Sequence, residues 1–431
     1  MTKRFVFLVC LGLPFLVISL PFGLYGPVFL IHNAVCLGLL TLDFCLTPAA
    51  GCLEIERDPE DKLVFKAENT LTLYVRTQRH LFVTLKDEIP DWHFTLLDDS
   101  HMTRAAEPGE PAAFSYTLLP SKRGAFVFPH VYGYITGSLG LCRKYFQRPL
   151  PMEYKVYPDL RDLRRYRLLT QKKMMEQGAR AVRARLGATE FESLREYAPG
   201  DDYRKINWPV TARENKLILN QYEAEKNQPV FILIDAGLPM TYSLKGMKKL
   251  DYAVNAALIL ADIVNQRGDN SGLMVFDTDV RSLIAPGKGE AHRHHLMEAL
   301  YHIQGVKNAS DYEGAFYALL NRQKRRGLIF LFTDFETLEE ARELAAAVQM
   351  LKRRHTPILT LMKNESLHKI LDNPRESLET VFQKAMAMNF GEERRDMIRS
   401  FNALGIACVE SEAEQFTLTA VNRYLAARNN Q

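Results

Sequence analysis

From Phe5 to Leu42 the chain carries no formally charged residue. As a single helix that run would rise about 57 Å, nearly twice the roughly 30 Å hydrocarbon core of a bilayer. The stretch "PFGLYGP" at 21–27 interrupts it with two prolines and two glycines, which is the composition of a turn. The sequence therefore predicts a transmembrane hairpin within residues 1–48, one span near 5–21 and a second near 25–46. His32 and Asn33 are costly in hydrocarbon and are expected to face the partner helix or the interface. The alternative is a cleaved signal peptide ending in the turn, which leaves a lone span. Lys3 and Arg4 ahead of the first span favour a cytoplasmic N-terminus, and two spans return the chain to that side. The expected location is the cell membrane, with the bulk of the chain cytoplasmic.

The remainder of the 431 residues is long enough for two further domains. A net charge of +4 over this length does not by itself imply nucleic acid. The cysteines, Cys10, Cys36, Cys45, Cys52, Cys142 and Cys408, form no C-x-x-C pair. Neither a disulfide framework nor a zinc site is suggested, and a reducing compartment fits best.

Residues 49–157 read as β. Runs such as "KLVFKAENTLTLYVRT", "LFVTLKDEI" and "GAFVFPHVYGYITGS" alternate in part and are punctuated by Pro, Gly and Ser. Six or more short strands predict a β-sandwich, with no triad or metal-ligand spacing in it. Residues 158–227 connect this domain to a C-terminal one. Within them, Arg161 to Arg185 holds nine Lys/Arg against Asp162 and Glu176, a local charge of +7. The plain reading is a solvated connector. Anionic lipid leads the functional readings for a chain already tethered, with nucleic acid behind it. From 228 to 431 buried strands alternate with helices: "PVFILIDA", "KKLDYAVNAALILADIVNQRG", "SGLMVFD", "LIFLFTDF". This pattern predicts a doubly wound α/β sheet whose ligand crevice lies beyond the strands' carboxyl ends. Asp235 and Asp334 stand at two of those ends.

Between these domains lies "SLREYAPGDDYRKINW", residues 193–208. Pro199-Gly200 supplies a turn, and an aspartate after it closes an Asx-turn. Arg195 and Arg213 are expected to pair with Glu196, Asp201 or Asp202, and Tyr197 and Trp208 to bury their rings as anchors. Adjacent Asp201 and Asp202 point to opposite sides of an extended segment, so they form no catalytic carboxylate pair. The segment 187–223 reads as a belt clasping the β and α/β domains, with Arg204 and Lys205 facing a partner. His292, His294 and His295 read as a solvated helix face.

The combination of Arg-Glu-Tyr, Pro-Gly-Asp-Asp, Asn207-Trp208 and Ala-Arg213, followed by "VFILIDAGLPM" and "FTDFE", resembles the domain-of-unknown-function family number 58. The α/β part is similar to a von Willebrand factor A domain. "YTLLPSKRGAFVF", "GSLGL" and "VYPDL" resemble that family's β-domain. The resemblance implies a membrane-anchored protein working with a MoxR-type AAA+ ATPase and having no established enzymatic activity. It also implies where a metal would sit, since metal-binding von Willebrand A domains carry Asp-x-Ser-x-Ser, a loop threonine and a later aspartate. Here Gly237 and Pro239 occupy the serine positions, and Ser310 or Asp311 the loop position. Asp235, Asp311 and Asp334 remain as candidates for Mg²⁺ or Ca²⁺ in a degenerate site, and no cofactor is expected.

No phosphate loop, nucleophile elbow or HExxH is present. The reading is a membrane-anchored, non-enzymatic interaction protein whose partners are membrane lipid and a protein, with neither nucleic acid nor a small-molecule substrate. The rivals are a metal-dependent hydrolase at Asp235 and Asp334, and lipid or nucleic-acid binding through 161–185.

Overall fold

The structure, a computed structural model, describes residues 2–19, 25–90, 92–99, 101–159, 168, 190–198, 203, 206–223, 227–363, 370 and 378–429. The basic stretch 161–185, except Leu168, lies outside the described residues, as do Pro199, Gly200, Asp201, Asp202, Arg204 and Lys205. The chain divides into two compact units, Met1–Asp159 and Leu160–Gln431.

The first unit opens with helices α1 (Lys3–Cys10), α2 (Gly12–Ser19) and α3 (Tyr25–Leu46). Among the described residues α3 is the one helix long and apolar enough to cross a membrane. Its 22 residues rise about 33 Å. The segment expected as a first span is divided at Leu11 into two helices of 8 residues. It folds back on α3: a Cβ at Gly12 would stand 2.3 Å from the ring of His32. His32 thus faces its neighbour helix, as expected. Asn33 does not; its amide donates to the Phe29 carbonyl of its own helix, at 2.8 Å.

Nine strands come next among the described residues. They are β1 (Glu54–Arg57), β2 (Lys62–Val64), β3 (Asn69–Arg76), β4 (Leu81–Asp87), β5 (Phe94–Leu96), β6 (Met102–Ala106), β7 (Ala112–Pro120), β8 (Gly124–Thr136) and β9 (Arg143–Tyr157). They form a four-stranded sheet, β1-β3-β7-β5, and a five-stranded sheet, β2-β9-β8-β4-β6. All pairings are antiparallel except β2 with β9. Alternation along β3 turns Leu71, Leu73 and Val75 inward. Leu73 and Val75 meet Val83, Leu85, Val131 and Ile135 of the other sheet, so both inner faces feed one core. A buried ion pair crosses that core. Arg57 of β1 grips Asp87 of β4 through two nitrogens, and the Tyr116 hydroxyl of β7 donates to the same carboxylate at 2.7 Å.

Among the described residues the helices are fastened to this domain at the β8–β9 hairpin tip and the start of β9. Asp43, in the last turn of α3, is fully buried. Its carboxylate accepts the backbone N–H groups of Leu139 (2.8 Å), Leu141 (2.8 Å) and Cys142 (2.9 Å). An acid near a helix C-terminus opposes the helix dipole, and three N–H donors offset that cost. Gly137 gives the carboxylate room, since a Cβ there would lie 2.4 Å from its oxygen. The other end of the helical segment meets the same tip, for Thr2, the N-cap of α1, donates its hydroxyl to Gly140 O at 2.6 Å. Lys144 adds a bond to Thr47 O (2.5 Å) and sits 4.2 Å from the centre of the Phe44 ring.

The second unit begins with an antiparallel pair, β10 (Glu190–Glu196) and β11 (Ile218–Glu223), joined through helix α4 (Trp208–Glu214). Then come β12 (Pro229–Asp235), a short hairpin of β13 (Ser243–Leu244) and β14 (Met247–Lys248), and α5 (Lys249–Gln266). They are followed by β15 (Asn270–Phe276), β16 (Val280–Gly287), α6 (Glu290–Tyr301), α7 (Tyr312–Arg322), β17 (Leu328–Phe332) and α8 (Leu338–Lys352). The series ends with β18 (Thr356–Met362), α9 (Leu378–Ala403), β19 (Ala407–Ser411) and α10 (Phe416–Asn429). The sheet order is β16-β15-β12-β17-β18-β19, parallel except for the edge strand β16. Successive residues of β12 face opposite cores. Val230, Ile232 and Ile234 pack with α5 and α10, while Phe231 and Leu233 pack with α7, α8 and α9. This is the doubly wound arrangement expected of continuous apolar strands. Strand β16 and helix α9 are additions that the sequence pattern does not announce.

The anchor joint gives a testable expectation. Asp43→Ala strands three buried donors, at about 1–3 kcal/mol for a lost partner, and Gly137→Ala overpacks the same space at a similar cost of about 1–3 kcal/mol. Because the first change empties the room the second needs, the double variant should lose less than the sum. Thermal melts of the full chain in one detergent check this, and strict additivity would contradict the joint.

Candidate functional site

In a sheet of order 3-2-1-4-5-6 the crevice opens where the two central strands, here β12 and β17, send their connections to opposite faces. Asp235 ends β12, and Thr333-Asp334 follow β17 directly. All three are buried.

Every lone-pair direction of Asp235 is occupied. One oxygen accepts Gly237 N–H (2.8 Å) and the Ser310 hydroxyl. The other accepts the hydroxyls of Tyr312 (2.8 Å) and Thr333 (2.5 Å), which also touch each other at 3.0 Å. The donors arrive from four places: the turn after β12, the loop 306–311, the start of α7 and the end of β17. Burial pushes the Asp235 carboxyl above its usual range, and these hydrogen bonds oppose that without cancelling it. The Tyr312 phenol is held well above its ordinary value, first by burial and then by the charge of Asp235.

Ser310 also explains Gly237. The φ of −75° at Gly237 suits any residue. A Cβ there, however, would stand 2.1 Å from Ser310 Oγ and 3.1 Å from the Asn308 carbonyl. The hydroxyl that a serine at 237 would offer is thus supplied from the facing loop.

Asp334 has a different environment. Its carboxylate meets Lys249 Nζ at 2.6 Å and Arg394 Nη2 at 2.7 Å, and accepts Phe335 N–H at 2.9 Å. Lys249, the first residue of α5, also reaches Glu336 at 3.1 Å. Arg394, on α9, bonds Glu410 (2.6 Å) and the carbonyls of Phe335 (2.8 Å) and Met362 (3.0 Å). Burial works against the Arg394 guanidinium, but Asp334 and Glu410 outweigh it and hold the group above its usual range. Two cations and three carboxylates thus close this end of the sheet.

The three candidate ligands therefore serve three separate jobs. Asp311 is the N-cap of α7, accepting Gly314 N–H at 2.9 Å, and is not turned toward the other two. Among the described residues no cluster of three His, Cys, Asp or Glu side chains is placed to hold a metal ion. Asp235 retains no oxygen without a protein donor, and a cation at Asp334 would meet an ammonium and a guanidinium already in place. The residues present do not fit a Mg²⁺ or Ca²⁺ site. Asp277, the buried residue after β15, is a third strand-end acid, one the sequence pattern did not single out. It accepts Arg281 Nε at 2.7 Å and Asp279 N–H at 3.2 Å.

Lys249 and Arg394 were also not legible as site residues. Arg394 sits in "EERRDM", which reads as solvated charge. Its spacing of three and seven residues from the buried Met397 and Phe401 puts it on the inner face of α9, and that periodicity is the available signal.

The described residues of the segment 187–223 take local roles. Asn207 caps α4, accepting Val210 N–H at 3.3 Å, and Tyr197 is half-buried with its N–H on Leu217 O at 2.8 Å. The Arg195 side chain donates to the Glu196 carbonyl at 3.2 Å and the Glu196 carboxylate takes Lys216 at 2.7 Å, while the expected pairing with Asp201 or Asp202 lies outside the described residues. Arg213 is exposed in the last turn of α4. Trp208 corrects the expectation of a buried anchor, being 63% exposed. Val210 and Thr211 take the partly buried side of α4, and Thr211 Oγ1 accepts Ile218 N–H at 3.0 Å, which leaves the indole in the first turn outside. His292 departs from the solvated face as well, because its Nε2 lies 2.6 Å from Ser271 O.

Residues 193–370 match the family described as Protein of unknown function DUF58. Over 252 residues the chain is 23% identical to "Uncharacterized protein Mb1516" of Mycobacterium bovis and equally to "Uncharacterized protein Rv1480" of Mycobacterium tuberculosis. Each alignment covers 54% of this chain and 77% of the relative. Among solved structures the SpRpn10 VWA domain is similar at 15% identity and a TM-score of 0.27, covering 46% of this chain and 95% of that one.

Two expectations test the crevice. Gly237→Ser should destabilise the chain by about 1–3 kcal/mol through overpacking, and adding Ser310→Gly should recover much of the loss in a denaturant melt. The second concerns pH. A carboxyl whose native pKa is raised contributes stability that is fully present below the unfolded aspartate value, about 3.9. That contribution is lost as pH rises through the raised native pKa. Asp235→Asn cannot titrate, so the stability of the wild type relative to this variant should fall across that window. A flat difference would mean the carboxyl is not perturbed.

Proposed function

We propose that this chain is a membrane-anchored, non-enzymatic interaction protein. Its helices form a two-span hairpin, and its α/β domain presents a docking surface to a protein partner, a MoxR-type AAA+ ATPase or another cell-envelope component. The hairpin reading is supported by the common fastening point: Thr2, before α1, and Asp43, at the end of α3, both bond the tip 137–142. If α3 crosses a bilayer, the segment before it must cross back to reach the same tip. Lys3 and Arg4 then favour the cytoplasmic side for both the N-terminus and the β-domain.

The observation that carries the interaction reading is the exposed N-terminal half of α9. Val381, Phe382, Met386 and Met388 are each more than half exposed, about two to four turns before Arg394. Contiguous exposed apolar side chains on one helix are characteristic of partner surfaces, and methionines suit an adaptable one. The non-enzymatic part is supported by the crevice chemistry, where Asp235 and Asp334 are engaged by protein donors and offer no oxygen for a nucleophile or metal.

Purification of the full chain in mild detergent from its native host, followed by mass spectrometry, should recover an AAA+ ATPase. Phe382→Asp should abolish that recovery with little change in melting, since the ring is 67% exposed. Reporter fusions after residues 23 and 60 should report opposite compartments. Mg²⁺-dependent turnover lost in Asp235→Asn would overturn the non-enzymatic reading and favour the hydrolase.

A further inference from the structure

The outer face of the five-stranded sheet carries a groove that no feature of the fold accounts for. Its volume is about 580 Å³, in the range of small-ligand sites. Register places Tyr145 directly opposite Tyr134, and Tyr134 opposite Thr84, so one row of side chains crosses three strands. The Tyr134 and Tyr145 rings are 5.4 Å apart. Arg143 lies over Tyr134, its guanidinium carbon 4.4 Å from the ring centre. Lys86, His101 and Gln147 complete the polar lining, and among the described residues no carboxylate lines the groove. The acids nearby, Asp87, Glu88 and Asp99, line a separate cavity. Lys86 and Tyr132 line both, and Tyr132 directs its hydroxyl to Glu88 at 3.4 Å.

Two observations say what the groove would hold. Arg143 lines the groove with its guanidinium over the Tyr134 ring, while its Nε is enclosed without a hydrogen-bond partner, so no protein acceptor holds that nitrogen. Stacked on a tyrosine, the guanidinium keeps the planar fork that suits a phosphate. The second observation is position. Arg143 is the residue after Cys142, whose N–H holds Asp43 at the end of α3. Tyr145 is two residues further, no more than about 7 Å along the strand. The headgroup layer outside the hydrocarbon is itself roughly 5–7 Å deep on each side. Tyrosine and arginine at that depth match the composition of membrane interfaces.

We propose that this groove binds the headgroup of an anionic phospholipid, with Arg143 on the phosphate and Tyr134 and Tyr145 against the glycerol backbone. The inference rests on the reading of α3 as a membrane span. It differs from the lipid contact considered for residues 161–185, being a formed pocket in the first unit rather than a run of charge.

The test uses the full chain in a zwitterionic detergent, titrated with dihexanoyl phosphatidylglycerol, dihexanoyl phosphatidylcholine and inorganic phosphate, with binding followed by native mass spectrometry. Phosphatidylglycerol should bind at least tenfold more tightly than phosphatidylcholine. Arg143→Gln should weaken it about tenfold, and Tyr145→Ala severalfold; Tyr145 is 70% exposed, so that variant should fold normally. Neutralising the basic residues of 161–185 should leave this binding in place. Equal affinity for the two lipids, wild-type binding by Arg143→Gln, loss on neutralising 161–185, or phosphate competing as well as the lipid would each overturn the proposal. Carbonate extraction of membranes tests the anchor separately. A chain stripped by carbonate defeats the span, whereas a retained chain that ignores phosphatidylglycerol defeats the groove alone.

Discussion

A carboxylate withdrawn from water must be given hydrogen-bond donors or opposite charge, because desolvation alone costs several kcal/mol. Both units of this protein are built on that constraint. Asp43, Asp87, Asp235 and Asp334 are all buried, and each is a joint between elements distant in sequence. The solutions differ. Asp43 is held by backbone N–H groups and Asp235 by hydroxyls and one N–H, neither with a cation in contact. Asp87 and Asp334 are held by guanidinium and ammonium groups. Each acid fixes a contact that apolar packing leaves free to slide: helix end to hairpin tip, sheet to sheet, strand end to loop, strand end to helix.

The same constraint shapes what the α/β domain offers. At the point where a doubly wound sheet ordinarily seats a ligand, Ser310, Tyr312 and Thr333 close over Asp235, while Lys249 and Arg394 neutralise Asp334. The crevice has become a structural joint. Large apolar side chains left exposed lie outside it, on α9 and at Trp208. In the first unit, the aromatic and basic face of the five-stranded sheet is equally unabsorbed by the core, and it begins one residue from the joint that receives α3.

Much of the fold was legible because it follows from local period. Continuous apolar runs such as "PVFILID" give strands buried on both faces, and alternation along "NTLTLYVR" gives one buried face. The uncharged run 5–42 leads to helices, with α3 close to the length predicted. Edge strand β16 is hidden because "VRSLIAPG" alternates weakly and contains a proline. Helix α9 is hidden because its apolar residues lie on both its buried and its exposed faces, which blurs the stripe that marks a helix.

The sequence by itself determined the apolar segments, the strand and helix alternation, and which acids end the central strands. It did not determine what those acids do. Thr333 reaches Asp235 across 98 positions and Arg394 reaches Asp334 across 60. Asp235 and Asp334 look alike in sequence, each an aspartate after an apolar strand, yet one meets hydroxyls and the other cations. Trp208 looks like an anchor, yet its ring lies outside. Element type is set by spacing within a few residues, which the chain carries locally. The partner of a buried polar atom is set by where distant segments close on one another, and only the tertiary structure decides that.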